Sequence, residues 1–460
     1  METVMSSVPQ SVCVVSLGCP KNLVDSEHIL GVLGRSGWRI VAAPELADVV
    51  VVNTCGFLQS AVGEANEVIR RILDSRLPDQ RIVVAGCLVQ RQRGALQQMF
   101  PQVEHFIGID DIPRLAAILA RPDKRTCTAL GAPTGLCRAE LPRLVSTPNH
   151  YAYLRIADGC DNCCAYCLIP SIRGRLRSRP LNDVLHEARM LAANQVCEVI
   201  LIAQDATAYG QDIAGKSLLA PLLRRLARIE GIEWLRVLYT HPAHFTPDLF
   251  DELAANDKVV KYIDLPLQHI SDRLLQRMNR RYLRSDVEFL LGWLHSIPGI
   301  AIRTTFITGL PGETEAESAE LLEFVRQGHF AHVGCFAYSP EPGTRAARMP
   351  GPVTPATREA RARELMAAQR RISLARNRAL AGRTTEVRID SFDSRRNEYL
   401  GRTYADAPEI DNTVHVRGDH LTIGSVVKAR VIRAGAYDLW AENSEQGSGI
   451  RNQGSTAKPL

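Results

Sequence analysis

Short apolar segments alternate with helix-like segments along most of this 460-residue chain, and that alternation restricts the folds open to it. Alternation of this kind is typical of a parallel sheet with helices on its faces. We therefore predict an N-terminal α/β domain, built on a parallel sheet, over residues 11–120. The strand-like runs of this first series are residues 12–16, 48–53 and 81–85, and the helix-like runs between them are residues 26–36 and 61–75.

A second and longer series follows residues 121–145, where several prolines and glycines break the pattern and predict a linker. A repeated strand–helix run of this length predicts a full or partial β/α barrel over residues 146–382. Active sites in such barrels lie at the C-terminal ends of the strands. The strand-like runs are residues 151–156, 198–203, 234–239, 262–266, 301–308 and 332–338, with helix-like runs such as 181–194 and 285–295 between them.

The C-terminal part changes character after an arginine-rich helix at residues 354–380, whose charges predict a solvated face. Short strand-like runs with turn residues then predict a small antiparallel β-barrel over residues 383–444. The polar residues 445–460 predict a disordered tail.

Charge and cysteine content favour some classes of protein over others. The net charge of +5, from 55 basic and 50 acidic residues, is too mild to require a nucleic-acid partner. Twelve scattered cysteines in a chain of this length favour metal binding in a reducing compartment over disulfide bonds. Neither a secretory signal nor an apolar run long enough to span a membrane is recognisable. We therefore predict a cytoplasmic protein without a membrane partner.

Three cysteines, Cys160, Cys164 and Cys167, lie directly after the first strand of the second series, separated by three and then two residues. One tight loop with this spacing can carry three thiolates to three corners of a four-iron cluster, which usually takes four cysteines. The fourth iron then remains free for another ligand. The alternative is zinc, because Cys163 completes two pairs with zinc-like spacing. Zinc folds usually separate such pairs by a dozen or more residues, so the spacing favours the cluster.

A second set, Cys19, Cys55 and Cys87, is distributed over the first domain, each at the end of a strand-like run and beside a glycine. The C-terminal ends of parallel strands meet at one edge of a sheet, where ligands bind. We therefore predict that these cysteines, here called the strand-end cysteines, converge on one metal site. The alternative is that free cysteines are buried as small apolar residues, and we apply it to Cys13, Cys197 and Cys335.

With Tyr166 before its third cysteine, the segment of residues 160–167, here called the cysteine loop, resembles the radical S-adenosylmethionine (SAM) signature. Residues 11–443 as a whole resemble the methylthiotransferases, which combine a three-cysteine domain, a radical-SAM barrel and a small TRAM barrel. Gly309-Leu-Pro-Gly-Glu belongs to the same resemblance. Three segments resemble the branch that modifies an aspartate of ribosomal protein S-twelve: Ser16-Leu-Gly-Cys-Pro-Lys-Asn-Leu-Val-Asp-Ser-Glu, Ile202-Ala-Gln-Asp and Asp264-Leu-Pro-Leu-Gln-His-Ile-Ser.

This resemblance implies two [4Fe-4S] clusters, one on the cysteine loop through Cys160, Cys164 and Cys167 and one on the strand-end cysteines, with Cys163 as a bystander. It also implies SAM as substrate and radical source, and attachment of a methylthio group to the β-carbon of the aspartate. Ribosomal protein S-twelve and a reductant such as flavodoxin or ferredoxin are the implied partners, and nucleic acid is not required.

Four further residues are predicted to contact the cofactor. Gln204 and Gln268 lie just beyond strand-like runs, Tyr166 lies in the cysteine loop, and Gly309 lies in a turn that a cofactor could approach. The arginines at residues 173, 175, 177 and 179 either bind substrate or SAM, or are simply solvated.

Two alternative functions remain open from the sequence. One is methylthiolation of a transfer-RNA adenosine, and the other is a non-catalytic iron–sulfur module that binds RNA. Residues 384–443 carry eight Lys and Arg against ten Asp and Glu. Barrels that bind RNA normally present a basic groove, so this balance favours a protein substrate.

Overall fold

The computed structural model describes residues 10–121, 126–128 and 131–444. The predicted disordered tail at residues 445–460 lies outside these described residues. Among the residues that the structure describes, no helix combines the length and the apolar character needed to cross a membrane.

The N-terminal unit is a six-stranded sheet with helices on both faces. In chain order its elements are β1 (Ser11–Ser16), α1 (Pro20–Arg35), β2 (Arg39–Ile40), β3 (Val49–Thr54), α2 (Gln59–Asp74), β4 (Arg81–Gly86), α3 (Cys87–Gln92), α4 (Gly94–Met99), β5 (His105–Ile107), α5 (Leu115–Leu119) and β6 (Thr126–Cys127). The strand order is β2-β1-β3-β4-β5-β6, and every neighbouring pair is parallel. Strand β3 is buried along its whole length, as expected for a parallel sheet covered on both sides. The predicted parallel α/β unit is confirmed.

Two features of this unit differ from the sequence-based expectation. Strand β6 lies inside residues 121–145, which were expected to be only a linker, and pairs with His105 and Phe106 of β5. Its two residues are too short a run to show a strand pattern. Helix α1 begins at Pro20, six residues before the predicted start, because residues of its first turns are polar and yet buried. Those residues pack against the central unit as well as against their own sheet.

The central unit is an open barrel of parallel strands with helices outside. Its elements are β7 (Tyr151–Arg155), β8 (Ala157–Asp158), α6 (Ile169–Ile172), β9 (Arg177–Ser178), α7 (Leu181–Ala193), β10 (Glu198–Ile202), α8 (Gln211–Ala214), α9 (Leu219–Leu226), β11 (Trp234–Val237), α10 (Pro247–Ala255), β12 (Tyr262–Asp264), α11 (Asp272–Arg277), α12 (Arg284–His295), β13 (Ala301–Thr308), α13 (Glu315–Arg326), β14 (His332–Ala337) and α14 (Pro355–Arg378). A parallel bridge between Leu235 and Val259 joins the β7-β10-β11 sheet to the β12-β13-β14 sheet. The result is the partial barrel that the sequence predicts.

The C-terminal unit is a closed five-stranded barrel. Its strands are β15 (Thr384–Asp393), β16 (Glu398–Arg402), β17 (Thr413–Arg417), β18 (Val426–Ala434) and β19 (Asp438–Asn443). The predicted small β-barrel is confirmed, and its strand pairs are antiparallel except that β17 and β19 pair in parallel. Strand β17 runs in the direction of β15, because β16 pairs antiparallel with both. Strand β19 also runs in the direction of β15, because β18 pairs antiparallel with both.

Candidate metal centres at the domain interface

The strand-end cysteines lie at three neighbouring strand ends of the N-terminal sheet, since β1, β3 and β4 are adjacent. Cys19 precedes α1, Cys55 follows β3, and Cys87 is the first residue of α3. The approach between Gly18 and Cys55 is so close that a Cβ at Gly18, whose φ is 95°, would lie 2.7 Å from the Cys55 Cβ. Only glycine permits this packing. The structure therefore brings the predicted second cysteine set to one edge of the sheet.

The cysteine loop follows β7 and β8, at the C-terminal end of the first barrel strand. Hydrogen-bond donors are directed at its sulfurs. The backbone N–H of Asn162 donates to Cys160 Sγ at 3.5 Å, and that of Ile169 donates to Cys167 Sγ at 3.4 Å. The guanidinium of Arg280 donates to Cys164 Sγ at 3.6 Å. Donors of this kind stabilise thiolate ligands and tune the potential of an iron–sulfur cluster.

Burial controls the ionisation of three thiols in the two cysteine sets. It raises the pKa of Cys87, Cys160 and Cys167 to about 12 each. Such thiols stay neutral and unreactive unless a positive charge replaces the proton, and a coordinated metal does so. Buried thiols with donors directed at their sulfurs fit an iron–sulfur cluster.

Zinc does not fit the cysteine loop. The ligands of a tetrahedral zinc ion, with bonds of about 2.3 Å, lie within about 4 Å of one another. Within the described part of the chain, no three cysteine sulfurs lie within 4.8 Å of one another. Cys163 is the exposed member of the loop, with φ at 50°, and its carbonyl accepts a hydrogen bond from Asn279 at 2.9 Å.

A single buried guanidinium, that of Arg173, connects the two cysteine sets. Its Nη2 donates to Cys87 Sγ at 3.1 Å and to Asp25 Oδ2 at 2.6 Å, while Nη1 donates to Asp158 Oδ2 at 3.3 Å. Asp158 is two residues before Cys160 in the cysteine loop. The two candidate centres therefore face each other across the interface between the N-terminal unit and the barrel.

The carboxylates of this connection are held in their charged form. Burial raises the pKa of Asp25, but Arg155 and Arg173 together lower it further, so the net pKa lies below its ordinary value. Asp158 behaves in the same way, with Arg173 as its main opposing charge. The interface therefore contains paired charges that hold one another in place.

The arginines at residues 173, 175, 177 and 179 separate into different environments. Arg173 and Arg179 are 2% exposed, so simple solvation is wrong for both. Arg179 pairs with Asp183 at 2.7 Å and Glu187 at 2.5 Å. The side chain of Arg175 is 86% exposed and pairs with Asp161 at 3.1 Å. Arg173 and Arg179 therefore have structural roles, whereas Arg175 is solvated.

Gln204 is the predicted cofactor contact whose environment best suits a ligand. Its Nε2 donates to Asp158 Oδ1 at 2.9 Å, and its buried Oε1 has no partner among the residues that the structure describes. Buried polar atoms are normally paired, so this oxygen suits a ligand that donates a hydrogen bond. Tyr166 packs in an apolar cluster with Met278 and Leu310, directly within the cysteine loop.

Gln268 and Gly309 have clear structural roles. The backbone of Gln268, with φ at 70°, pairs with β13. Its carbonyl accepts from the Ile307 N–H and its N–H donates to the Thr305 carbonyl, each at 2.8 Å. A Cβ at Gly309 would meet the side chain of Arg358 in α14, so glycine is required there by packing. Contact of either residue with a cofactor stays a prediction.

Sequence reasoning missed a polar group next to the cysteine loop. Asp205, His241 and His244 bring ligand-type atoms within 4.8 Å of one another. Asp205 Oδ2 accepts from His244 Nδ1 at 2.8 Å and from the side chain of Asn162 at 2.7 Å. Asp205 follows β10, and the two histidines follow β11. Their positions just beyond two strand ends could have predicted this group from the sequence.

Known protein families match all three units of the chain. Residues 11–108 match the family described as uncharacterized protein family UPF0004. Residues 154–325 match the radical SAM superfamily, and residues 381–443 match the TRAM domain. The predicted division into a three-cysteine domain, a radical-SAM barrel and a small C-terminal barrel agrees with these matches.

Curated relatives match the chain over almost its whole length. The ribosomal protein uS12 methylthiotransferase RimO of Geotalea uraniireducens (strain Rf4) is 42% identical, covering 95% of this chain and 99% of the relative. The protein of the same name from Thermoanaerobacter sp. (strain X514) is 41% identical, covering 94% of this chain and all of the relative. Identity at this level over 94–95% of this chain establishes a common family.

The solved structures support the fold. The radical SAM methyltransferase TsrM from Kitasatospora setae superposes with a TM-score of 0.53 at 18% identity, covering 71% of this chain and 72% of that chain. The fold, the two cysteine centres and the full-length relatives lead to one assignment. The chain belongs to the RimO family of radical-SAM methylthiotransferases.

Proposed function

We propose that this chain attaches a methylthio group to the β-carbon of an aspartate in ribosomal protein uS12. The observation that carries the proposal is the pair of cysteine sets, which face each other across one interface and are joined by Arg173. When bound, the [4Fe-4S] cluster at the cysteine loop supplies the electron that cleaves SAM, and the cluster at the strand-end cysteines supplies the sulfur.

The chain's own residues position these groups and exclude water. Cys160, Cys164 and Cys167 would hold one cluster, and the strand-end cysteines would hold the other. Helix α1 packs against the barrel, since Lys21 lies on the Tyr239 ring and Asp25 pairs with Arg155. A water-poor interface is suited to radical chemistry, since exclusion of water prevents side reactions of a reactive intermediate.

The C-terminal barrel supports a protein substrate over an RNA substrate. Several of its arginines are already paired within the molecule. Arg402 pairs with Glu198 at 2.6 Å, and Arg388 pairs with Glu233 at 2.9 Å. Cations used in this way are not free to form the basic groove that RNA binding requires.

The reductant would be a protein such as flavodoxin or ferredoxin. Because the proposed substrate is a ribosomal protein, the reaction would take place in the cytoplasm.

The proposal is tested by comparing a deletion strain with its parent. Mass spectrometry of ribosomal proteins is expected to show loss of the methylthio group from uS12, and re-expression of the chain is expected to restore it. Nucleosides from transfer RNA of the same cells serve as the control. Loss of a methylthio group from an adenosine, with uS12 unchanged, would contradict the proposal.

A further inference from the structure

We propose that Lys21 binds the carboxylate of the substrate aspartate and so selects an acidic side chain over a neutral one. This inference rests on the proposed function, and it names Lys21 as the residue that determines the specificity for an acidic substrate side chain. It arises from a buried amino group that has no carboxylate within 4.0 Å among the described residues.

Lys21 is 9% exposed, at the start of helix α1. Its Nζ lies 3.2 Å from the centroid of the Tyr239 ring, and its hydrogen bond to the Ala203 carbonyl is long at 3.5 Å. Among the ion pairs of the described residues, none within 4.0 Å involves Lys21. Buried lysines are rare unless they are paired, so a site for an anion next to this ammonium is the simplest physical reason for its position.

The ammonium lies where the chemistry must occur. Ala203 and Tyr239 follow strands β10 and β11, and the C-terminal ends of barrel strands form the active-site mouth. Lys21 is also two residues from Cys19, one of the strand-end cysteines. It therefore lies between the predicted source of sulfur and the barrel mouth.

A second cation in this region, Arg303, is already neutralised. Its guanidinium donates to Asp264 at 3.0 Å and to Asp411 at 3.2 Å. Among the described residues Lys21 has no ion pair within 4.0 Å, so its ammonium can take an incoming carboxylate without displacing an acidic group of the chain.

The backbone conformation of Tyr239 holds its ring against the Lys21 ammonium. Its φ is 61°, which is unusual for a residue other than glycine and strains the backbone. The backbone N–H of Tyr239 donates to Asp264 Oδ2 at 2.9 Å, which holds this conformation. The ring is thereby kept against the Lys21 ammonium, and a cation–π contact leaves the other faces of the ammonium available.

Binding the carboxylate would also place the reacting atom. The carboxylate carbon of aspartate is bonded directly to the β-carbon, at about 1.5 Å. Fixing the carboxylate therefore fixes the position of the hydrogen to be removed, which is the contribution expected of a positioning residue. Asparagine or a nucleobase lacks the charge that this contact requires.

The test compares uS12 peptides that carry either aspartate or asparagine at the target position, using the complete, reconstituted chain. We expect Lys21→Met to weaken binding of the aspartate peptide by about 10–150-fold, the range for a lost hydrogen bond to a charged group. Binding of the asparagine peptide is expected to stay unchanged, and Lys21→Arg is expected to restore part of the preference. Binding is measured without reductant, so the readout does not depend on turnover.

The controls separate this role from others. Lys216→Met removes an exposed charge far from the site in sequence and is expected to bind both peptides like the parent chain. The inference is wrong if Lys21→Met keeps the preference for aspartate, or if it loses iron from the strand-end cysteines. Failure of the proposed function gives a different result, in which the parent chain itself leaves uS12 unmodified. Failure of the Lys21 inference instead leaves Lys21→Met with the parent's preference for the aspartate peptide.

Discussion

Individual buried charges hold the interface between the N-terminal unit and the barrel. Arg173 contacts Cys87, Asp25 and Asp158 at once, and Arg155 pairs with Asp25 at 2.5 Å. Each of these side chains is at most 9% exposed. Paired charges at such depth add little net stability, but removing one partner leaves another buried charge uncompensated.

We therefore predict that Arg173→Met destabilises the protein by about 3–5 kcal/mol, the cost of breaking a buried ion pair. Thermal unfolding followed by circular dichroism is expected to show a lower apparent melting temperature. Arg175→Met is the matched control, because Arg175 lies two residues away and its side chain is 86% exposed. Surface pairs contribute about 0–1 kcal/mol, so equal effects of the two variants would contradict this account.

The candidate site was predictable from the sequence only in part. The six cysteines follow from spacing and from their places after strand-like runs. The role of Arg173 does not, because Asp25 and Cys87 are 148 and 86 residues away in the chain. No local pattern distinguishes Arg173 from Arg175, and only the packing of two units separates them.

Among the elements, the cysteine loop allows a direct test of ligand assignment. We predict that Cys164→Ala abolishes formation of 5′-deoxyadenosine from SAM, because one ligand of the radical-SAM cluster is lost. Cys163→Ala is expected to retain it, since Cys163 is exposed. Iron content per chain is expected to be about four in the first variant and about eight in the second. Loss of cleavage in Cys163→Ala would show that the assignment is wrong.

Element boundaries were predictable where apolar periodicity was strong. Strand β3, with four successive valines, was found within one residue of its bounds. Helix α1 was predicted too short, because its buried residues include Asn22 and Glu27, which pair with groups distant in sequence. The parallel pairing of β17 with β19 depends on which strands meet, and strand patterns carry no information on that.

At the scale of the whole molecule, the C-terminal barrel is fixed to the base of the radical-SAM barrel. Glu198 of β10 is fully buried and pairs with Arg236 at 2.9 Å and with Arg402 of β16 at 2.6 Å. Burial raises the pKa of Glu198, but Arg402 and Arg236 lower it further, to about 2. A carboxyl whose pKa is lowered by folding stabilises the folded state above its unfolded pKa of about 4.3.

We predict that this contribution, about 3 kcal/mol, is lost as the pH falls from about 4.3 towards about 2. Glu198→Gln is expected to be less stable at neutral pH and to lose less stability over this acidic interval than the parent chain. Thermal unfolding of both proteins as a function of pH measures the difference. Parallel pH profiles for the two proteins would contradict the prediction.

The central claim is that two cysteine centres act on one carbon atom of one substrate. The direct measurement uses reconstituted protein, SAM, a reductant and a uS12 peptide deuterated at the β-carbon of its target aspartate. We predict that mass spectrometry finds deuterium in 5′-deoxyadenosine and a methylthio group on the same aspartate. In the triple variant of Cys19, Cys55 and Cys87 to alanine, SAM cleavage is expected to persist without methylthiolation. A methylthiolated aspartate with no deuterium in 5′-deoxyadenosine would contradict the account.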